Sequence, residues 1–118
     1  MRYFVSLLLV AGALTAVASA PASPTVVRPR VLTIYVGKHG VPGGPKHFTV
    51  NKGAHVVLVV HSTIGEAVHL HGYDIEKKIV SKTHPVRMPF VAKVTGQFEI
   101  ELHLTESLGL RIALLTVK

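Results

Sequence analysis

Apolar and polar residues alternate strictly near the C-terminus of this chain. Between Phe98 and Leu104 every second residue is apolar, and Glu99, Glu101 and His103 stand between them. A period of two residues is typical of a strand that has one face in a core and the other toward solvent. Elsewhere the sequence consists of short runs rich in Val, Ile and Leu, with turn residues between them and no sustained 3.6-residue period. The chain is therefore predicted to be all-β.

The spacing of these runs predicts seven or eight strands within one domain at residues 31–118. The runs lie at residues 31–36, 47–50, 55–61, 66–71, 73–80, 86–94, 98–104 and 110–117. Long irregular connections at 37–46 and 103–109 favour an antiparallel β-sandwich of two sheets with Greek-key connections. A small closed barrel is the alternative.

The first 22 residues predict a secretory signal peptide. Arg2 precedes an apolar run that reaches Val17, and small residues continue to Ala22. The run is short for a membrane span, which needs about 20 apolar residues, so no anchor is expected once the leader is cleaved. Cleavage after residue 18, 20 or 22 stays open, and the proline-rich residues 23–30 are predicted to be a tether. We expect a periplasmic or secreted protein.

Composition limits the partners of such a protein. Thirteen Lys and Arg face six Asp and Glu, giving a formal charge of +7, and there is no cysteine. Disulfides and thiolate metal sites are therefore excluded. An exported basic protein points to an acidic envelope protein or an anionic surface. Nucleic acid is not expected, because four Phe, three Tyr and no Trp offer little stacking surface.

Basic residues flank the Gly- and Pro-rich segment at 37–46 and the turn at 51–54. Lys38, Lys46, Lys52 and His55 are predicted to lie at one end of the sandwich and to form a rim that faces anions. The alternative is that they are solvated loop residues that serve solubility alone.

Two segments of the sequence are EAVHLHGYDIE at residues 66–76 and GQFEIELH at residues 96–103. They resemble the cupredoxin-like domains of bacterial secreted proteins, a group that includes domains associated with periplasmic iron uptake. The similarity covers most of residues 31–117 and implies a Greek-key sandwich. By itself it implies little about function, because one fold serves many functions.

The same resemblance implies that a blue-copper site is missing. Such a site takes histidines, a cysteine and often a methionine. His71 matches the first histidine of the family pattern, whereas Leu102 stands at the cysteine position. Thr105 lies near the position of the second histidine and Leu110 near that of the methionine. Blue-copper electron transfer is therefore not expected.

Histidines on the predicted strands could form a different metal site. His69 and His71 are two residues apart, so their rings leave one face of a strand about 7 Å apart. In the resembling fold His103 lies on the neighbouring strand, and Glu101 adds a carboxylate on the same face. Such ligands suit Cu(II), Zn(II) or Ni(II), and Asp74 is a candidate to orient a histidine. The alternative is a metal-free polar ladder across strands, with His71 bonded to backbone groups.

Three functions remain from the sequence. The first is an exported protein that binds or hands over a metal ion through the histidines, with copper favoured and another divalent metal possible. The second is a metal-free structural or protein-binding module of the cell envelope. The third is a type 2 copper enzyme, which needs an open coordination position. No catalytic residue is assigned, since the sequence has no serine-hydrolase, phosphate-loop or zinc-protease motif.

Overall fold

The computed structural model describes residues 9–118, which fold into eight strands. This confirms the all-β prediction, and each predicted strand has a counterpart within a few residues. Residues 9–118 contain no helix, and therefore none that could span a membrane. The strands are β1 (Arg30–Val36), β2 (Lys46–Val50), β3 (His55–Ser62), β4 (Ala67–Leu70), β5 (Ile75–Lys78), β6 (Val86–Val91), β7 (Gly96–His103) and β8 (Gly109–Val117).

Two open sheets make up the sandwich, which excludes the closed barrel. One has the strand order β1-β3-β6, and the other has the order β2-β8-β7-β4-β5. Four of the six strand pairs are antiparallel as predicted, whereas β1–β3 and β2–β8 are parallel. Parallel neighbours cannot be joined by a hairpin. In both parallel pairs at least one other strand intervenes along the chain, so the connection crosses between the sheets.

The core lies between the two sheets, and β7 shows how the sequence alternation builds it. Ile100 and Leu102 are fully buried, whereas Glu99, Glu101 and His103 alternate with them on the outer face of the five-stranded sheet. Strands of both sheets contribute to a single apolar cluster. One face of β7 therefore stabilises the fold, and the other is free to carry chemistry.

The N-terminal segment is extended and exposed where the structure describes it. Residues 9–29 have no regular secondary structure, and all their side chains are exposed. The predicted signal peptide lies partly outside the described residues, which begin at residue 9. Its cleavage and the tether at residues 23–30 stay predictions.

The turn between β4 and β5 is anchored to the connection before β7. The Tyr73 hydroxyl donates to the Val94 carbonyl at 2.8 Å and accepts from the Val94 N–H at 3.1 Å. Its ring packs edge-on against Phe98, with centroids 4.8 Å apart. Gly72 has a φ of +80°, and a Cβ there would overlap the Phe98 ring. These contacts fix the position of His71, the first residue of the turn.

Removing the Tyr73 hydroxyl should weaken this anchor. We expect Tyr73→Phe to lower the free energy of unfolding by about 1 kcal/mol, because two hydrogen bonds to Val94 are lost at a site that water can reach. Denaturant unfolding measures the change. The control is Tyr35→Phe, on an exposed ring of β1 that stacks on His61. Equal effects of the two variants would contradict the anchoring role.

Candidate metal centre

The candidate site lies on the outer face of the five-stranded sheet, where the register aligns four polar side chains. Glu101 of β7 pairs with Arg111 of β8 on one side and with His69 of β4 on the other. His69 in turn pairs with Glu76 of β5. Paired residues of neighbouring strands point to the same face, so this row alternates basic and acidic groups across four strands.

The next row places His103 between two small residues. Gly109 of β8 and Ala67 of β4 are its partners on either side. The third histidine, His71, follows β4, and its backbone N–H donates to the Glu99 carbonyl at 3.0 Å. The small neighbours of His103 leave space beside its ring for longer side chains from the adjoining row.

The structure brings together the three histidines that the sequence analysis selected. One ring nitrogen from each of His69, His71 and His103 lies within 4.8 Å of the other two. The His69 ring centroid is 4.1 Å from that of His71 and 5.4 Å from that of His103. Nitrogens bound to one tetrahedral ion at about 2.0–2.1 Å are about 3.3 Å apart. Each pair of nitrogens would have to close by at most about 1.5 Å to bind one ion.

Two ring nitrogens of this histidine cluster are buried without a hydrogen-bond partner. They are Nδ1 of His69 and Nε2 of His71. Leaving a buried polar atom unpartnered costs about 1–3 kcal/mol, and such atoms are uncommon in folded proteins. A metal ion bound by these two nitrogens would satisfy both of them at once.

The Glu101 carboxylate lies against two of the imidazoles. Its Oε2 is 3.4 Å from Nε2 of His71, and its Oε1 is 3.4 Å from Nε2 of His103. Both distances exceed those of well-formed N–H···O bonds, about 2.7–3.2 Å. The carboxylate therefore places a negative charge next to the rings while their nitrogens remain available to a cation.

A second carboxylate at the cluster, that of Glu76, was not predicted from the sequence. Its Oε2 lies 3.7 Å from Nδ1 of His103, on the side of the ring away from Glu101. This distance is longer than a hydrogen bond. A closer approach of about 0.5–1 Å would form the carboxylate–imidazole contact that orients a metal-binding ring and raises its basicity. The register of the β4–β5 hairpin, which sets Glu76 opposite His69, is the signal that could have identified it.

The expectation that Asp74 orients a histidine is corrected by its position. Asp74 is exposed and has a φ of +54° in the β4–β5 turn. Asp adopts this left-handed conformation more readily than most residues, which explains its presence in the turn. Within residues 9–118, no hydrogen bond or ion pair joins Asp74 to a histidine, and the carboxylate that faces Nδ1 of His103, at 3.7 Å, is that of Glu76.

The predicted basic rim is not a single surface. β1 and β3 are parallel along their whole length, so Lys38, just after β1, and His55, at the start of β3, lie at opposite ends of that sheet. Likewise, Lys46 begins β2 and Lys52 follows its end. The prediction of one rim is wrong. The sequence shows that these residues lie near turns, but it does not show at which end of the sandwich each turn lies.

A well-formed ion pair borders the histidines. Nε of Arg111 lies 2.9 Å from Oε1 of Glu99, and its Nη2 donates to Oε2 at 3.2 Å. This hydrogen bond holds the pKa of Glu99 below its ordinary value, aided by the charges of Arg111 and His71 and opposed by partial burial. Glu99 is therefore engaged by Arg111, whereas Glu101 contacts His71 and His103 and Glu76 lies beside His103.

Arg111→Ala should raise the pKa of Glu99 toward its ordinary value. In the native protein the lowered pKa stabilises the fold above the unfolded-state pKa of Glu99, and this contribution is lost as pH falls through the folded-state value. The variant should therefore have a lower free energy of unfolding than the native protein at neutral pH. The difference between the two proteins should shrink as the pH falls. Carboxyl ¹³C NMR titration measures the pKa, with Arg87→Ala on β6 as control. An unchanged Glu99 pKa in Arg111→Ala would contradict the pairing.

Comparison with known proteins identifies a solved structure that has a similar fold. No family model matches the sequence, and no curated protein matches it. A solved structure does match: the NMR solution structure of a copper binding protein in the apo form. The match has a TM-score of 0.53 at 12% sequence identity and covers 77% of this chain and 91% of that chain. The chain shares its fold with a copper-binding protein. At this identity the likeness concerns the fold alone.

Proposed function

We propose that this protein binds a divalent metal ion, copper in preference, through His69, His71 and His103. The observation that carries the proposal is the pair of buried nitrogens on His69 and His71 that make no hydrogen bond, next to a third imidazole. Imidazole nitrogens suit Cu(II) and Zn(II), and among divalent first-row ions Cu(II) binds such sites most tightly. The fold shared with a copper-binding protein supports copper.

Charge around the cluster also favours a cation. The chain carries a formal charge of +7, yet four of its six acidic residues lie at or beside the histidines. Glu66, Glu76 and Glu106 line a surface cavity of about 410 Å³ that reaches His103, and the one lysine or arginine among its described lining residues is Lys78. Glu101 lies between His103 and His71. Clustered negative charge raises the local concentration of cations. The cavity offers an ion a route to His103.

Binding or handing over the ion fits these ligands better than electron transfer. The chain has no cysteine, and its Met88 is fully buried in the core. The thiolate that tunes a blue-copper site therefore has no equivalent. Together with the predicted signal peptide, this leads us to propose an exported metal-binding protein of the periplasm or extracellular space.

Calorimetric titration with Cu(II) and Zn(II) tests this function. We expect one ion per chain at micromolar affinity or better, and loss of that binding in His69→Ala/His71→Ala. The control is His39→Ala/His47→Ala, which removes two exposed histidines outside the cluster. Absence of binding, or equal binding by both double variants, would contradict the proposal.

The second candidate is a metal-free module, and the ladder of charges across the sheet favours it. Glu99 pairs with Arg111 across β7 and β8. Glu101 contacts His103 of its own strand and His71 after β4, and these charge pairs need no ion. If the protein binds neither Cu(II) nor Zn(II), this face is a polar sheet surface. The protein then acts through an envelope partner.

A further inference from the structure

Gly109 lies directly beneath the Glu101 side chain. A Cβ built on Gly109 would overlap the carboxylate of Glu101 and lie 2.9 Å from its Cγ. Real Cβ atoms do not approach carbon so closely, so the Glu101 side chain would have to leave its present position if Gly109 carried a Cβ. The absence of a side chain at Gly109 therefore leaves the room in which the Glu101 carboxylate reaches the imidazoles of His71 and His103.

A β-bulge brings Gly109 to this position. The β7–β8 register shifts between Ile100, which pairs with Ala113, and Glu101, which pairs with Arg111. Ile112 is the additional residue, and it is fully buried together with Ala113. Without the shift, Glu101 would face Ile112 across the strands. Bulges commonly redirect side chains at functional positions, and here the bulge sets Gly109 opposite His103.

We propose that Gly109 is a positioning residue that seats the Glu101 carboxylate between His71 and His103 and thereby makes the site selective for divalent copper over Cu(I). This inference rests on the proposed function for its effect on metal binding. Carboxylate oxygen is a hard ligand, whereas Cu(I) favours thiolates and thioethers. A carboxylate held at the imidazoles strengthens the binding of a divalent ion and contributes little to Cu(I).

The backbone allows alanine at this position. Gly109 lies in β8 and, unlike seven other glycines of residues 9–118, has no positive φ. Gly109→Ala therefore introduces a steric overlap with Glu101 and no conformational strain. Gly37→Ala is a matched control, since Gly37 also lacks a positive φ and a Cβ there would meet nothing within 4 Å.

The experiment measures Cu(II) and Cu(I) affinities by competition with chromophoric chelators for Gly109→Ala, Glu101→Ala and the double variant. Loss of even an indirect partner, one that contacts a metal-binding imidazole, typically costs 10–100-fold in affinity. We expect Gly109→Ala to weaken Cu(II) binding by at least about 10-fold, to change Cu(I) binding far less, and to have no further effect once Glu101 is alanine. Gly37→Ala should bind like the native chain.

Two results would overturn the inference. One is native Cu(II) affinity in Gly109→Ala, and the other is an equal loss of affinity whether or not Glu101 is present. The positioning itself is tested without metal, by a crystal structure of metal-free Gly109→Ala. In it the carboxylate should no longer lie within 4 Å of both rings, and an unchanged carboxylate would refute the role of Gly109. Failure of the native protein to bind any ion would instead refute the proposed function.

Discussion

Saturating Zn(II) should raise the unfolding temperature of this protein by about 10–20 °C. A ligand that binds only the native state at 100 times its Kd stabilises that state by about 2.7 kcal/mol. In a domain of 60–100 residues, each kcal/mol raises the midpoint by about 4–8 °C. Zn(II) is the ion of choice because it has no redox chemistry. Scanning calorimetry with and without the ion measures the shift.

The histidine variants decide where this stabilisation arises. His103→Ala should abolish most of the Zn(II)-induced shift, since it removes one of three nitrogens within 4.8 Å of each other. His84→Ala, on an exposed loop, should retain the shift in full. A similar shift in both variants would locate the ion elsewhere on the protein.

Leu102→Ala should lower the free energy of unfolding by about 2–5 kcal/mol, the usual cost of truncating a buried leucine. Leu102 is fully buried and lies on the inner face of β7, opposite to the histidines. The family resemblance places a copper-binding cysteine at this position. In this chain the residue fills the core instead.

Leu108→Ala is the control for Leu102→Ala. Leu108 is 56% exposed in the connection before β8, so its truncation should change stability by less than about 0.5 kcal/mol. Chemical denaturation of both variants gives the comparison. Equal losses would mean that Leu102 is not part of the core and that the register of β7 is misplaced.

Much of the fold could be predicted, because a strand with one buried face has apolar and polar residues in alternation along the sequence. The alternation from Phe98 to Leu104 predicted which residues of β7 face the core, and the structure agrees for Ile100 and Leu102. The parallel pairing of β1 with β3 and of β2 with β8 left no such signal. Those pairings depend on how distant segments cross between the sheets, which local periodicity does not record.

The residues of the candidate site likewise fall into those that could be predicted from the sequence and those that could not. His69 and His71 could be selected because residues two apart share a face of a strand, and the resemblance supplied His103. The contributions of Glu76 and Gly109 were missed, because they depend on cross-strand register. The contribution of Gly109 depends also on a bulge that displaces the β7–β8 register by one residue. The prediction of one basic rim was wrong for a related reason, because turns that follow one another in sequence can lie at opposite ends of a sandwich.

Histidine ring NMR during a Zn(II) titration tests the central claim most directly. The chain has eight histidines, and long-range ¹H–¹⁵N spectra resolve both nitrogens of each ring. The proposed centre predicts that one equivalent of Zn(II) shifts the ring nitrogens of His69, His71 and His103 and leaves the other five rings unchanged. Shifts confined to other histidines, or no shift in any ring at one equivalent, would contradict it.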